Sequence, residues 1–169
     1  MLIFFIIFLV ILIGRYNSYL LGFELLNIDE SQMMANAIRL QLNNYNIFQF
    51  DGTSSGFLNS LILTWPNLLN LDVTFLSTRI TAIILISAIF YIAYLYLRLD
   101  LKKNSSILLV LPGVLVFSFT HDPDFLHYSS ELLSTSLIIF ALYSYKKYFY
   151  TNKIRIHLIG MLLLSLVIF

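Results

Sequence analysis

The chain has 169 residues, of which 59% are hydrophobic and only 11% are charged. Soluble domains are about 25% charged, so the composition excludes an ordinary soluble protein and predicts an all-α, polytopic membrane protein. The absence of cysteine excludes disulfides and cysteine-based metal sites. A net charge of +1 without a basic cluster gives no indication of nucleic-acid binding.

Apolar stretches near membrane-spanning length predict about five transmembrane helices. The second is the clearest, since Arg79 is its only charge, and the third contains Pro112, which predicts a bend or tilt. The first is either a spanning helix or an uncleaved anchor. The last reaches the end of the chain without a polar flank, so we expect residues 1–169 to be the N-terminal part of a longer protein. The predicted spans lie near residues 2–23, 75–97, 105–120, 128–145 and 157–169.

Basic residues give these helices a direction. Lysines occur in two short loops, at Lys102 and Lys103 and again from Lys146 to Lys153. Alternation of the spans puts both loops on one side, and cytoplasmic loops are enriched in Lys and Arg. We therefore expect a multi-pass membrane protein whose acidic face is non-cytoplasmic. A bacterial cytoplasmic (inner) membrane is the expected location, and an internal eukaryotic membrane is left open. The acids on or near that face are Glu24, Asp29, Glu30, Asp51, Asp72, Asp122, Asp124 and Glu131.

A long outer loop, residues 24–74, is predicted to carry one or two helices on the membrane surface. In the first, apolar residues recur every four positions, which is typical of an amphipathic helix lying along a membrane. The second candidate, residues 58–65, is stopped by Pro66 and is either an interfacial helix or a shallow re-entrant segment. The repeated apolar residues of the first helix are Met34, Ile38 and Leu42.

The pair Asp29 and Glu30 opens the first of these helices. Asp29 is a natural N-cap, Gln32 would complete a capping box, and Glu30 would lie in the positive first turn. An acidic pair at a membrane surface can also activate a hydroxyl or hold a divalent cation. The local sequence favours capping, and the two roles are compatible because a capping residue is held rigidly.

A second acidic group lies in a short outer connection of the chain. Asp122 and Asp124 flank Pro123, and they are either the solvated residues of a turn or a pair of carboxylates that shares a metal. His121 and His127 lie beside them. Two histidines at an interface are more often polar anchors than metal ligands, so metal binding is the less favoured alternative here.

Two further charges are candidates for binding substrate. Glu131 begins the fourth predicted span, where it suits a helix N-terminus or faces a polar cavity. Arg79 lies about one turn into its span, where a cation opposes the helix dipole. Charges inside a membrane are costly and are usually paired. Arg79 therefore either extends to the surface or pairs with an aspartate, a glutamate or a lipid phosphate.

The order of three stretches is informative: residues 29–37 beginning Asp-Glu, the Gly/Ser-rich turn at 51–58, and Ser77-Thr78-Arg79. Together with the acidic loop at 122–124, this order resembles the polytopic GT-C glycosyltransferases. The resemblance is to the dolichyl-phosphate-mannose protein mannosyltransferase-like enzymes (family 39) and their lipid A sugar transferase-like relatives. It covers most of the chain through loose motifs, and Phe57 stands where family members often have proline.

The resemblance implies transfer of a sugar from a polyprenyl-phosphate donor to a lipid, glycan or protein acceptor on the non-cytoplasmic face, with inversion at the anomeric carbon. It implies Asp29 as the base, supported by Glu30, and a leaving phosphate that needs cationic stabilisation. No cofactor is defined, and a divalent cation is left open. The residues implied in substrate binding are Arg79, Asp122 and Asp124, joined by Glu131, and the candidate metal ligands are Asp29, Asp122, Asp124 and His121.

Two other functions compete with this expectation. A transporter or channel component is one, but no span carries an acid at mid-membrane and no pair of broken helices stands out. An inactive membrane fragment is the other. Both alternatives share the multi-pass membrane architecture and differ only in what the outer face does.

Overall fold

The computed structural model describes residues 2–16, 27–46, 56–120 and 127–167. Within these ranges the chain is helical and contains no strand, which confirms the predicted all-α class. A short 3-10 helix, Trp65–Leu69, lies between the third and fourth α-helices. The α-helices are α1 (Leu2–Arg15), α2 (Ile28–Leu42), α3 (Phe57–Ile62), α4 (Phe75–Leu97), α5 (Lys103–Phe119), α6 (Ser130–Thr151) and α7 (Ile154–Leu166).

The long helices follow the apolar stretches of the sequence. Helix α4 has the bounds predicted for the second span, because Thr74 and Ser77 form a capping box that starts the helix at Phe75. Helix α5 continues through Pro112, and α6 extends beyond its predicted end to Thr151. Among the described residues, α4 alone is long and apolar enough to cross a membrane, whereas α1, α5 and α7 are apolar but shorter.

Helices α1, α4 and α5 pack around one core. The start of α1 lies beside the end of α4 and the start of α5, and the end of α1 lies beside the end of α5. Helices α1 and α5 are therefore parallel to each other and antiparallel to α4. The buried side chains of this core are Ile7, Ile11, Ile83, Ile86, Tyr94, Val110 and Val114.

Small residues allow close contacts between helix backbones. A Cβ atom added to Gly14 of α1 would lie 2.5 Å from the carbonyl oxygen of Ser118 in α5. On α7, a Cβ added to Gly160 would lie 3.3 Å from both the Ala141 carbonyl oxygen and the Ser144 Cβ of α6. Contacts of this kind through glycine, alanine and serine are typical of helix packing in membranes.

The two lysine-bearing loops lie together at one end of the bundle, which we call the inner end. The Lys146 ammonium of α6 pairs with the Asp100 carboxylate of the α4–α5 connection, and the Tyr150 hydroxyl donates to the same carboxylate. The Lys146 nitrogen also lies 4.0 Å from the centroid of the Tyr96 ring. The hydrogen bonds from Lys146 and Tyr150 hold the pKa of the Asp100 carboxyl below its usual value.

A second core covers the N-terminal half of α4 at the opposite, outer end. Helix α2 contributes Met33 and Ala37 to it, while Ile38 and Leu42 of the apolar repeat are 36% and 76% exposed and lie outside this core. The prediction that Pro66 stops a helix over residues 58–65 was wrong, because α3 ends at Ile62 and Pro66 lies in the first turn of the 3-10 helix. The remaining core residues are Leu63, Val73, Ala82, Leu85 and Tyr128.

The contact between α1 and α5 gives a test of the packing. We expect Gly14→Ala to lower the free energy of unfolding by about 1–3 kcal/mol, because the added methyl group overlaps the Ser118 carbonyl and overpacks the interface. This loss outweighs the gain of about 1 kcal/mol in helix propensity. Denaturation in mixed detergent micelles, followed by circular dichroism, measures the change. Ile13→Ala is the matched control, since Ile13 is the exposed neighbour in the same helix; equal or smaller loss in Gly14→Ala would contradict the close contact.

Candidate functional site

The residue at which α2 begins determines which way the Asp29 and Glu30 side chains point. Asn27 is the N-cap, with extended backbone angles, and its side-chain oxygen accepts a hydrogen bond of 2.7 Å from the Asp29 amide. The prediction that Asp29 is the N-cap was therefore wrong, because Asn27 takes that role and places Asp29 inside the first helical turn. Glu30 follows in the same turn, as predicted, where a carboxylate interacts favourably with the helix dipole.

Adjacent residues of a helix point in directions about 100° apart, because a turn holds 3.6 residues. Asp29 is exposed, whereas the Glu30 side chain is completely buried against α4. The two carboxylates therefore belong to different surroundings. The Asp29 carboxylate is accessible at the outer end, and the Glu30 carboxylate is part of the protein interior.

Glu30 is held by two consecutive residues of α4. The Thr78 hydroxyl donates to Glu30 Oε1 at 3.0 Å. Arg79 Nε lies 3.4 Å from Oε1 and 3.3 Å from Oε2, and its Nη2 donates to Oε2 at 3.3 Å. The Arg79 side chain is only 3% exposed, so this arginine pairs with an internal carboxylate and does not extend to the surface.

The pairing also accounts for the position of Arg79 near the start of α4. A cation at a helix N-terminus opposes the macrodipole, and a buried charge without a counter-charge is strongly unfavourable. The Glu30 carboxylate offsets both effects. The aromatic ring of Phe75, whose centroid lies 5.9 Å from the guanidinium carbon, adds a cation–π contact.

Two further hydrogen bonds fasten the outer segments to the bundle. The Tyr128 hydroxyl donates to the Asn59 side-chain oxygen of α3 at 2.9 Å, and the Trp65 indole donates to the Thr81 hydroxyl of α4 at 2.8 Å. Sequence reasoning did not predict these contacts, and it gave Thr78 no role beyond its place in the Ser77-Thr78-Arg79 stretch. The available signal was the spacing of hydroxyl residues in the outer half of α4, which lie on one face of the helix: Thr74, Ser77, Thr78 and Thr81.

The other predicted site residues are not seen to contact Glu30 or Arg79 in the part of the chain that the structure describes. Glu131 lies exposed at the start of α6. Asp122, Asp124 and His121 lie outside the described residues, so their convergence with Asp29 stays a prediction. In the described parts of the chain, no group of three His, Asp or Glu side chains could hold a metal ion.

The site is thus an exposed carboxylate on a surface helix that is locked to a long apolar helix through the next residue. Asp29 can accept a proton or contact a polar ligand at the outer end, whereas Glu30 is engaged by Arg79 and Thr78. Comparisons with family models, with curated proteins and with solved structures gave no match. The functional argument therefore rests on the geometry of the chain itself.

The buried ion pair can be tested by a double-mutant cycle. We expect Arg79→Met and Glu30→Leu each to lower the free energy of unfolding by about 3–5 kcal/mol, because each leaves a buried charge without its partner. The double variant should recover much of this loss, since neither charge remains. Unfolding in mixed detergent micelles gives the three values.

Asp29→Asn is the matched control for the cycle. It alters the neighbouring exposed carboxylate, and exposed substitutions usually change stability by about 0.5 kcal/mol or less. Additive losses in the double variant, or a loss below about 1 kcal/mol in either single variant, would show that Glu30 and Arg79 do not depend on each other.

Proposed function

We propose that the chain is a multi-pass membrane protein whose outer end carries a sugar-transfer site of the GT-C type. The donor is a polyprenyl-phosphate-linked sugar, and the acceptor is a lipid, a glycan or a protein on the non-cytoplasmic face. Asp29 is the base of this reaction. Glu30, Arg79 and Thr78 position it.

The outward-facing surface of the helices supports the membrane assignment. Monomeric soluble proteins rarely expose contiguous apolar patches larger than a few hundred Å², yet α1, α5 and α7 all expose large hydrophobic side chains. On α5 alone these are Leu108, Leu109, Leu111, Leu115, Val116 and Phe119. A lipid environment lets such residues face outward without contact with water.

The length of α4 and the distribution of charges are consistent with a bilayer. Helix α4 has 23 residues, about 34 Å at 1.5 Å per residue, and the hydrocarbon core is about 30 Å thick. Tyrosines and lysines gather at the inner end, where an interfacial aromatic belt and the cytoplasmic lysine bias are expected. Those tyrosines are Tyr94, Tyr96, Tyr143, Tyr145, Tyr148 and Tyr150.

The position of Asp29 is the observation that carries the transfer proposal. A polyprenyl phosphate keeps its sugar at the level of the lipid headgroups, so the base must be held at the outer surface of the membrane. Asp29 is exposed at the end of the bundle that we assign to the outer side, and its helix is fixed to α4 through the adjacent Glu30. Positioning of this kind supplies much of the rate enhancement when two substrates must meet in one orientation.

The reaction is a single displacement. The acceptor oxygen bonds to the anomeric carbon as the bond from that carbon to the phosphate oxygen breaks. Asp29 takes the proton of the acceptor hydroxyl, and the electron pair of the broken bond leaves with the polyprenyl phosphate. Inversion at the anomeric carbon follows because attack and departure occur on opposite faces.

Membrane topology can be tested by labelling single introduced cysteines, because the chain has no cysteine of its own that a thiol reagent would label. Leu71→Cys and Leu101→Cys place one thiol before and one after α4, both at exposed positions. We expect the protein to stay in membranes after an alkaline wash. A membrane-impermeant maleimide should label Leu71→Cys in intact cells and Leu101→Cys only after permeabilisation. Equal labelling of both variants in intact cells, or release by the wash, would contradict the topology.

The transfer reaction can be measured in membranes containing the full chain. We expect radiolabelled mannose on a polyprenyl phosphate to pass to an endogenous acceptor, and Asp29→Asn to lower the rate by about 100-fold or more, because general-base catalysis contributes 10²–10⁴-fold. Asp72→Asn is the control, since Asp72 is an exposed acid on the same side that lies outside α2. Equal rates for Asp29→Asn and Asp72→Asn would remove the proposed role of Asp29.

A further inference from the structure

An apolar groove lies in the inner half of the bundle, between α1, α4 and α5. Its volume is about 250 Å³, and Ile3, Tyr94, Val110 and Val114 are among the residues that line it. A neighbouring cavity of about 410 Å³ shares Ile3 and Tyr94 and extends to Lys103 at the start of α5. We call the two together the inner groove. Among the described residues that line it, Lys103 is the only charged one.

The inner groove has the length of one lipid chain. Lys103 and Val114 mark its two ends on α5 and are separated by about 16 Å of helix at 1.5 Å per residue. Half of the hydrocarbon core is about 15 Å. In the proposed membrane placement, this length matches the distance from the inner headgroups to the middle of the bilayer, which is the depth that the acyl chain of an inner-leaflet lipid occupies.

The lining chemistry selects hydrocarbon for the deep end. Cavities lined by apolar side chains stay dry, because a water molecule there finds no polar partners. The groove between Ile3 and Val114 offers only aliphatic side chains and Tyr94. A flexible acyl chain gains contacts with these side chains that water cannot provide.

The mouth of the groove is basic. Lys103 is exposed, and Arg98 and Lys102 lie close to it in the chain. Among the described residues at the inner end, Asp100 is the only acid, and its carboxylate is engaged by Lys146 and Tyr150. The positive charges of Lys103, Arg98 and Lys102 can therefore attract an anionic headgroup at the depth where lipid phosphates lie.

We propose that the inner groove binds one anionic phospholipid of the inner leaflet, with an acyl chain between α1 and α5 and its phosphate at Lys103. The proposal rests on the membrane placement described under the proposed function and is independent of sugar transfer. A bound lipid of this kind fills the space between α1 and α5 at their inner ends. Gly14 and Ser118 close the same pair of helices at their outer ends.

Native mass spectrometry of the detergent-purified chain tests the headgroup. Phosphatidylglycerol and phosphatidylethanolamine with identical acyl chains are added in equal amounts. We expect retention of phosphatidylglycerol to exceed that of phosphatidylethanolamine about fivefold, the contribution of one lysine near an anionic headgroup. Lys103→Gln should bring the ratio close to one. Lys153→Gln, which removes an inner-end lysine that does not line the groove, should leave the ratio unchanged.

The acyl chain is tested by filling the groove. Val110→Trp should abolish retention of both lipids, whereas Leu109→Trp adds the same bulk to an exposed position of α5 and should retain them. Circular dichroism and elution as a single species verify folding, and Ile3→Trp is the second filling variant if Val110→Trp does not fold. Equal retention of the two lipids by the unaltered chain, or retention by both filling variants, would overturn the proposal.

The outcomes separate this proposal from the proposed function. A chain that retains phosphatidylglycerol but transfers no sugar supports the inner groove and removes the transfer proposal. A chain that transfers sugar but shows no preference for the anionic lipid supports the transfer proposal and overturns the inner-groove proposal. Release from membranes by an alkaline wash overturns both.

Discussion

The buried pair of Glu30 and Arg79 is the interaction on which the outer half of the protein depends. Removing two charges from water costs several kcal/mol per ion, and only good geometry with further hydrogen bonds compensates for it. Here the carboxylate accepts from Nε and Nη2 of Arg79 and from the Thr78 hydroxyl. Any shift of α2 along α4 would leave both charges buried without partners, so the pair sets the register of α2 on α4.

This register joins two cores that share one helix. The inner core of α1, α4 and α5 is held mainly by apolar side chains and by a close backbone contact at Gly14. The outer core on the N-terminal half of α4 adds directional hydrogen bonds through Thr78, Arg79 and Thr81. Helix α4 therefore changes character along its length, from a non-specific apolar surface at the inner end to a polar attachment surface at the outer end.

The local features of the fold could be predicted from the sequence, and the pairings could not. An apolar run with Arg79 as its only charge predicted the bounds of α4, because helix formation there depends on neighbouring residues. The cap of α2 was misplaced because Asn27 and Asp29 are both good caps and only the backbone angles distinguish them. Glu30 and Arg79 were each recognised as unusual charges, but they lie 49 positions apart, and no local pattern specifies a contact at that separation.

Asp29 is exposed and the adjacent Glu30 is buried, and this difference matters for the proposed transfer of a sugar from an anionic lipid phosphate. Two exposed acids at the start of α2 would repel a lipid phosphate by more than one would, by up to about 4 kcal/mol per close charge pair near a protein surface. Arg79 neutralises Glu30 inside the protein, so the first turn of α2 presents the single charge of Asp29 together with the positive end of the helix dipole. The outer end can then hold a basic carboxylate beside a phosphate. The same arginine that fixes the position of α2 thus removes a negative charge that would repel the proposed donor.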